Sequence, residues 1–401
     1  MEIVKKLFKS IINQKVVNNF YHQPKAFLAN AYYGFPTKGM TVIGVTGTDG
    51  KTTTTNMIYQ ILKAAGKKVS MVSTINAVIA GKPYQTGFHV TSPDSEMIQK
   101  FAKQAADYGD KYLVLEVTSH AIDQFRFWGI KFDVGVITNI THEHLDYHKT
   151  FEEYKKTKLK FIQNSKHAVV NQNIKPDAKI ADKLITFGLN KGNFNQKDLK
   201  LNLKIPGDFN IENALAALAT AFALNIDREI AQVSLENFES LIGRMQEVKN
   251  KKGIRVFVDF AHTPNGLEKA LTLLRDQKKS GKLISVFGAA SQRDLGKRPI
   301  MGGISAKLAD ITVLTDEDPR FEDSHKIIEE IAKGAYEAGA KDNQNLFKQS
   351  NRQRAIEFAI SLAKKGDIVG IFGKGHEESM NYHGKEIPWS DLKAVEKALN
   401  G

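Results

Sequence analysis

Between Val42 and Leu62 the chain passes from an apolar stretch (Val42, Ile43, Val45) into the glycine-rich turn Gly47-Thr48-Asp49-Gly50. Lys51, Thr52 and Thr53 follow, then the helical pattern of Asn56–Leu62. Strand, tight turn, lysine, hydroxyl and helix in that order leave few alternatives. The turn gathers backbone N–H groups at the positive end of a helix, and that end is an anion site. Phosphate fits it: the N–H groups cradle the group, Lys51 reaches the outer phosphates and Thr52 can hold Mg²⁺. The usual loop has a further Gly with four residues between it and the Gly-Lys pair, whereas this chain has Val45 there. A glycine turn with an exposed lysine is the bland alternative, and the ordered strand and helix argue against it.

A chain of 401 residues has room for two or three domains. Cysteine is absent, which excludes disulfides, thiolate metal sites and thiol catalysis. No apolar run of about 18 residues is present and no signal peptide opens the chain, so the cytoplasm is the expected location. The formal charge of +13 suits acidic substrates, nucleic acid or an anionic membrane. No nucleic-acid module signature is present, so anionic small molecules are the more economical partners. A monomer is expected.

Residues 3–12 place Ile3, Val4, Leu7, Phe8, Ile11 and Ile12 at helical spacing, with Lys5, Lys6 and Lys9 between them. Such a helix either docks on its own protein or lies on a membrane surface. Residues 20–40, with Tyr32, Tyr33, Gly34, Pro36 and Gly39, read as a linker. From Thr41 strands and helices alternate. Strands are expected at Val69–Val72, Tyr112–Val117 and Val134–Asn139, then short ones at Ala168–Val170 and Leu184–Phe187. Helices are expected over Thr150–Ile162, opened by Thr150 and Glu153, and over Asn210–Leu224. A second α/β pattern follows Gly243-Arg244, with strands at Arg255–Asp259, Leu283–Phe287, Ile311–Leu314 and Asp367–Ile371. Polar residues at the C-terminal ends of apolar strands fit mostly parallel sheets with sites at that edge.

Several residues in these loops have chemistry to offer. Glu116 ends a strand where a carboxylate can reach the Mg²⁺ of a phosphate loop, or is simply solvated. His142, His144 and His148 suggest a zinc site, which no thiolate or tight pair of helical histidines supports, a Mg²⁺ site shared with carboxylates, or simply an exposed surface. Lys158 lies nearest the centre of the apolar face defined by Phe151, Tyr154, Phe161 and Ile162, whereas Lys156 and Lys160 point elsewhere. An inward lysine needs an anionic partner or a changed charge, unless it snorkels from the edge. In the second unit four strand ends carry polar loops. These are Asp259–Pro264, the loop holding Arg293, Lys297 and Arg298, Asp316–Arg320 and Gly373–Glu377.

Taken in order, these motifs resemble the Mur ligase family, and within it the MurE-type muramyl-tripeptide synthetases. The matching stretches are Gly47–Thr53, Thr91–Asp94, Glu116–His120, Asn139–Asp146, Tyr154 with Lys158, Gly207–Asn213, Gly243–Met245, Asp259–Pro264, the arginine loop, Asp316–Arg320 and Gly373–Glu377. They cover roughly residues 30 to 390. The resemblance implies an α/β fold, with a P-loop central domain on a mostly parallel sheet over 41–243. A Rossmann-like C-terminal domain over 244–401 and an abbreviated N-terminal helix and linker over 1–40 complete it.

It also implies an ATP-dependent amide-bond ligase of peptidoglycan precursor synthesis. The acceptor would be UDP-N-acetylmuramoyl-L-alanyl-D-glutamate and the incoming residue a diamino acid, with an acyl phosphate between. By resemblance Gly47, Thr48, Asp49, Gly50, Lys51, Thr52 and Thr53 hold the ATP phosphates, and Asn210 and Asn213 contact its base. Arg244 and Arg293 belong to the interdomain nucleotide site, with Asp259 and His262 beside it. Thr52 and Glu116 hold one Mg²⁺ and His144 helps with a second. Lys158 matches the lysine that reacts with CO₂ to give a carbamate, which would resolve the charge of an inward lysine. Lys51, Lys158 and His144 are the catalytic set. Thr91, Ser92, Ser119 and Arg126 match acceptor contacts; Asp318, Arg320, Gly373 and Glu377 match the amino-acid pocket. Closure of one domain on the other is expected to assemble the site.

Two departures stand out. Only about forty residues precede the loop, where the family's uridine-binding domain has about a hundred. The usual Asp-Asn-Pro-Arg of the amino-acid pocket is Glu317-Asp318-Pro319-Arg320 here. Arg320 favours a distal carboxylate and Asp318 a distal amine such as that of lysine; the balance leans to meso-diaminopimelate. A folylpolyglutamate-type ligase is the nearest rival, opposed by the Asp-Pro-Arg and Gly-Lys-Gly-His-Glu motifs. A non-catalytic nucleotide-binding scaffold is opposed by Lys51, Glu116, His144 and Lys158 occurring together.

Overall fold

The computed structural model describes residues 14–84, 92–141, 143, 145–174, 183–291 and 294–400. The chain divides into two compact units, Met1–His142 with His148–Phe238, and Glu143–Tyr147 with Glu239–Gly401.

The first unit is built on a sheet of nine strands. They are β1 Thr41–Thr46, β2 Val69–Val72, β3 Ala77–Ile79, β4 Lys82–Tyr84, β5 Tyr112–Glu116, β6 Val134–Ile137, β7 His167–Asn171, β8 Lys183–Gly188 and β9 Phe194–Asn195, ordered β4-β3-β2-β5-β1-β6-β7-β8-β9. β1 lies between β5 and β6 and is parallel to both, with Val45 opposite Glu116 and Thr46 opposite Ile137. Helices cover both faces of a parallel sheet, so its central strands must be apolar throughout, and Val42, Ile43, Val45, Val114 and Val136 are fully buried. The register brings the residues after β1, β5 and β6 to one edge. Antiparallel β3 and β4 finish one side.

The second unit carries six strands, β10 Gln246–Val248, β11 Arg255–Asp259, β12 Leu283–Phe287, β13 Ile311–Leu314, β14 Leu346–Lys348 and β15 Ile368–Phe372. Their order is β10-β11-β15-β12-β13-β14, parallel except for β10. Asp259 lies opposite Phe372 and Phe287 opposite Leu314, so the polar loops after β11, β12, β13 and β15 share one edge. A hairpin of β16 Ser379–Tyr382 and β17 Lys385–Pro388 adds to that edge through a bridge between Tyr382 and Arg320.

Two expectations need correction. Residues 20–40 are not a linker throughout: a π-type turn over Asn18–His22 leads into the helix Gln23–Tyr32. Pro24 stands in the first turn of that helix, where its missing N–H costs nothing. Lys297 and Arg298 are not loop residues. They open the helix Lys297–Leu308 and are both buried. The helix Phe151–Gln163 starts where expected, with the Thr150 side chain accepting from Glu153 N–H at 3.2 Å.

Candidate active site

The loop between β1 and the helix Lys51–Ala64 is fixed mainly from outside itself. The Thr138 hydroxyl donates to the Asp49 carbonyl at 2.6 Å, and the Asn139 side chain both accepts from Asp49 N–H (2.9 Å) and donates to Asp49 carbonyl (3.0 Å). Thr48 N–H donates to the Asn139 carbonyl at 3.0 Å, and Thr141 N–H donates to the Thr48 hydroxyl at 2.9 Å. Gly50 adopts φ 81° and a Cβ there would strike the Asn213 side-chain oxygen, so only glycine fits. The Lys51 ammonium donates to Thr48 carbonyl at 2.7 Å.

Behind the loop, the Thr52 hydroxyl donates to Glu116 Oε1 at 3.1 Å, and Glu116 Oε2 accepts from Thr74 N–H at 2.8 Å. Thr52 and Glu116 are both buried. One hydroxyl and one carboxylate oxygen at a helix N-terminus suit a hard cation that keeps water and phosphate as its other ligands. The residues present therefore fit Mg²⁺. His142 and His144 lie outside the described residues.

Lys158 is 1% exposed and its side chain enters the same edge. Its ammonium donates to the Gly47 carbonyl at 2.8 Å and to the Thr46 hydroxyl at 3.3 Å, and it stands 4.7 Å from the Tyr154 ring centroid. Lys156 and Lys160 are exposed, as the periodicity required. The Tyr154 hydroxyl sits 3.0 Å from the Thr48 hydroxyl, linking this helix to the phosphate loop. His148 packs edgewise on His120 and lies against Tyr154, and burial, with Lys158 adding to it, lowers its pKa.

Of the expected acceptor contacts, Thr91 lies outside the described residues. The buried Ser92 hydroxyl donates to the Glu116 carbonyl at 3.2 Å. Arg126 donates to the Ser92 carbonyl at 2.5 Å and to the Gln124 side chain at 2.8 Å. Ser119 is 2% exposed and its hydroxyl has no hydrogen-bond partner among the described residues. A buried hydroxyl left open beside strand ends is available to a ligand. Asn210 and Asn213 are buried in the first turns of the helix Asp208–Ala223. Asn210 donates to the Pro206 carbonyl at 2.7 Å, and Asn213 accepts from the Thr54 hydroxyl at 3.3 Å.

In the second unit Asp259 accepts from Met245 N–H (2.7 Å) and Ala261 N–H (2.8 Å), so its carboxylate fixes the turn after β11. The Arg244 guanidinium lies 4.7 Å from the Phe260 ring centroid, and His262 and His376 flank the same ring. Burial, reinforced by Arg244, pushes His376 down to about 3. Arg293 lies outside the described residues.

The loop Asp316–Arg320 is held by buried charge. Lys374, fully buried, lies 3.0 Å from Asp318 Oδ1 and 2.5 Å from Glu377 Oε2, and these two carboxylates hold its pKa above normal although burial opposes it. Asn381 N–H donates to the same Asp318 oxygen at 2.9 Å. Arg320 sits at φ 51°, and its buried Nε has no partner among the described residues. Glu317 is fully enclosed; burial pushes its carboxyl up to about 7 against the pull of Lys297 and Arg352. Gly373, at φ 112°, stands where a Cβ would strike the Glu317 carboxylate.

Several of these residues carry no distinctive sequence signal. Thr138 and Thr74 are short polar residues after strands. Arg352 pairs with Asp391 through two hydrogen bonds of 2.8 and 2.7 Å, and also donates to the carbonyls of Asp316 (3.1 Å) and Phe372 (2.9 Å). A fork that reaches two strand ends at once is a use for arginine that lysine cannot match. The Asn351-Arg352-Gln353-Arg354 run around it looks like a solvated helix face.

Comparison with known proteins bears on the whole chain. Residues 45–221 match the Mur ligase middle domain and residues 243–375 match the Mur ligase glutamate ligase domain. The chain belongs to the Mur ligase family.

A UDP-N-acetylmuramoyl-L-alanyl-D-glutamate–2,6-diaminopimelate ligase of Clostridium tetani is 36% identical over 98% of this Mur ligase and 84% of that protein. A UDP-N-acetylmuramyl-tripeptide synthetase of Roseiflexus is 34% identical over 93% of the chain and 81% of its own length. Among solved structures, a diaminopimelate ligase of the same description aligns with TM-score 0.59 and 26% identity, over 96% of this chain and 82% of that one. A folylpolyglutamate synthase of Mycobacterium tuberculosis aligns with TM-score 0.70 over 88% of this chain and 93% of its own. At 17% identity that likeness speaks for the fold alone. As a Mur ligase the chain is an ATP-dependent, peptide-bond-forming enzyme of peptidoglycan synthesis.

Proposed function

We propose that this Mur ligase joins a diamino acid to the glutamate carboxylate of UDP-N-acetylmuramoyl-L-alanyl-D-glutamate, with meso-diaminopimelate preferred over L-lysine. The observation that carries the preference is Asp318. Its Oδ1 already accepts from Lys374 and from Asn381 N–H, so that oxygen is engaged within the protein rather than turned to a distal amine. Arg320, with a buried Nε still open, suits a distal carboxylate. The names of the relatives support the same choice.

In this reading residues 41–243 receive ATP, with Gly47–Thr53 around the phosphates and Asn210 and Asn213 toward the base. Residues 244–401 receive the amino acid, with Arg244, Arg293, Asp259 and His262 serving the nucleotide. Ser92, Ser119, Arg126 and Thr91 meet the acceptor. Thr52 and Glu116 would hold Mg²⁺, with His144 at a second ion; when bound, the metal neutralises phosphate charge that otherwise repels an attacking carboxylate.

The acceptor carboxylate displaces ADP from the γ-phosphate, giving an acyl phosphate. The incoming amine adds to its carbonyl carbon, and the tetrahedral adduct expels phosphate as the amine loses its proton. Lys51 follows phosphate charge as it moves, a role suited to a flexible ammonium. Lys158, whose buried amine is held at the Gly47 carbonyl, takes up CO₂ with loss of a proton to become a carbamate anion. Reaction in the cytoplasm as a monomer completes the proposal.

The test supplies purified protein with ATP, Mg²⁺, the acceptor and either diamino acid. ADP release and tripeptide formation with diaminopimelate are expected. Absence of both products with either amino acid overturns the assignment, and faster reaction with lysine reverses the preference.

A further inference from the structure

Asp318 and Arg320 share a backbone conformation that side chains disfavour. Neither is glycine, yet they sit at φ 45° and 51°, in the left-handed region. Residues keep that shape only where their surroundings over-determine it.

The hairpin of β16 and β17 supplies the constraint. Arg320 N–H donates to the Asn381 carbonyl at 2.9 Å, and His383 N–H donates to the Arg320 carbonyl at 2.7 Å. Asn381 N–H also donates to Asp318 Oδ1, and the Tyr382 hydroxyl donates to Asp316 Oδ2 at 3.2 Å. A Cβ on Gly384, in the turn, would strike the Phe321 ring, so the turn packs on the residue that follows Arg320. β16 and its turn thus grip the loop Asp316–Arg320 along its length.

What shapes β16 comes from the other strand. Glu386 of β17 stands opposite Asn381 in the register. One of its oxygens accepts from the Asn381 side-chain amide at 2.6 Å, the other from the Ser379 hydroxyl at 2.7 Å. The Asn381 side-chain oxygen in turn accepts from Gly384 N–H at 3.1 Å. His383 and Gly384, at φ 51° and 79°, have the paired positive values of a tight two-residue hairpin turn. A two-stranded ribbon is marginal alone, so such cross-strand bonds decide how firmly it holds. Glu386 itself is exposed and has no role in the proposed reaction.

We propose that Glu386 is a positioning residue for the incoming amino acid. Through Asn381 it holds β16 on the loop, and so keeps Arg320 in the conformation that forms the amino-acid pocket. The inference rests on the reading of Arg320 as the partner of a distal carboxylate.

The test measures ADP release by E386A against diaminopimelate concentration, with ATP and acceptor saturating. KM for diaminopimelate should rise about three- to tenfold, the worth of one hydrogen bond, with kcat and KM for ATP unchanged. Glu386→Gln, whose single side-chain oxygen can still accept from Asn381, should recover most of that rise. In an Arg320→Ala background E386A should add little, because the two changes act on one contact. A merely structural glutamate would lower the urea midpoint and leave KM alone. Where Arg320→Ala by itself raises KM, an unchanged KM in E386A overturns this inference only. So does a full further rise when E386A is added to Arg320→Ala. An unchanged KM in Arg320→Ala overturns the reading of Arg320, and this inference with it.

Discussion

The Lys158 ammonium donates to the Gly47 carbonyl at 2.8 Å, across 111 residues of sequence. The phosphate loop and the lysine that matches the family's carbamate position are thus one structure, and a change in either is felt by the other.

Lys158→Ala should lower turnover by about a hundredfold or more, the scale of losing one organised charge in a dry site. Partial recovery of ADP release by acetate or formate would mark the missing group as an anion. Unchanged turnover would remove the carbamate from the mechanism.

Glu116→Ala leaves the Thr52 hydroxyl and Thr74 N–H without their acceptor. Loss of the two hydrogen bonds, one of them to a buried hydroxyl, costs about 1–3 kcal/mol in all, readable by urea denaturation. The same variant should need more Mg²⁺ to reach half-maximal rate. Glu116→Gln should recover stability better than Mg²⁺ dependence, since an amide oxygen can accept but carries no charge.

Glu317 and His376 give the second unit opposed pH responses. The Glu317 carboxyl rises from 4.5 to about 7 on folding, so its contribution to stability is complete below pH 4.5 and is lost as pH climbs toward 7. That loss amounts to about 3 kcal/mol. His376 falls from 6.5 to about 3, so its contribution is present above 6.5 and is lost as pH falls. Between pH 4.5 and 6.5 the two slopes cancel. Glu317→Gln should therefore gain on the unmodified chain as pH rises from 4.5 to 7. Its own stability should drop as pH falls below 6.5, where His376 acts alone. Parallel pH profiles of urea midpoint for the two proteins would contradict this.

Arg320→Ala should raise KM for diaminopimelate by about 10- to 100-fold, the worth of a charge-assisted contact, and change KM for lysine little. Equal effects on both amino acids would take Arg320 out of the distal-carboxylate role.

Asp391→Ala leaves the buried Arg352 guanidinium without its counter-ion. A loss of about 3–5 kcal/mol is expected by chemical denaturation. Replacing both residues with apolar ones of similar size should cost less than Asp391→Ala alone.

How much of this could be read beforehand follows from the kind of residue involved. The strands at Val69–Val72, Arg255–Asp259, Leu283–Phe287 and Ile311–Leu314 were legible to the residue because buried parallel strands are apolar runs ended by polar loops. Lys158 was legible because helical periodicity shows which way a side chain points. The clamp of Thr138 and Asn139 was not: its residues are small, uncharged and about 90 positions from the loop they hold. Arg352 and Asp391 escaped because two charges 39 residues apart on helices look solvated. The helix Gln23–Tyr32 was hidden by Pro24, by the Pro and Gly after it, and by an outer face as apolar as its inner one.

The clamp on the phosphate loop also bears on when this protein becomes competent during synthesis. A nascent chain that has emerged through the helix Lys51–Ala64 carries every residue of the phosphate motif. It lacks the partners that shape it: Asn139 and Thr141 follow some 90 residues later, Lys158 after them, and Asn213, which packs on Gly50, later still. Contacts that distant close only when the intervening strands have paired. Nucleotide capture therefore waits for the sheet of the first unit to close, and a ribosome-bound fragment ending before Asn213 should bind ATP poorly despite holding the whole motif.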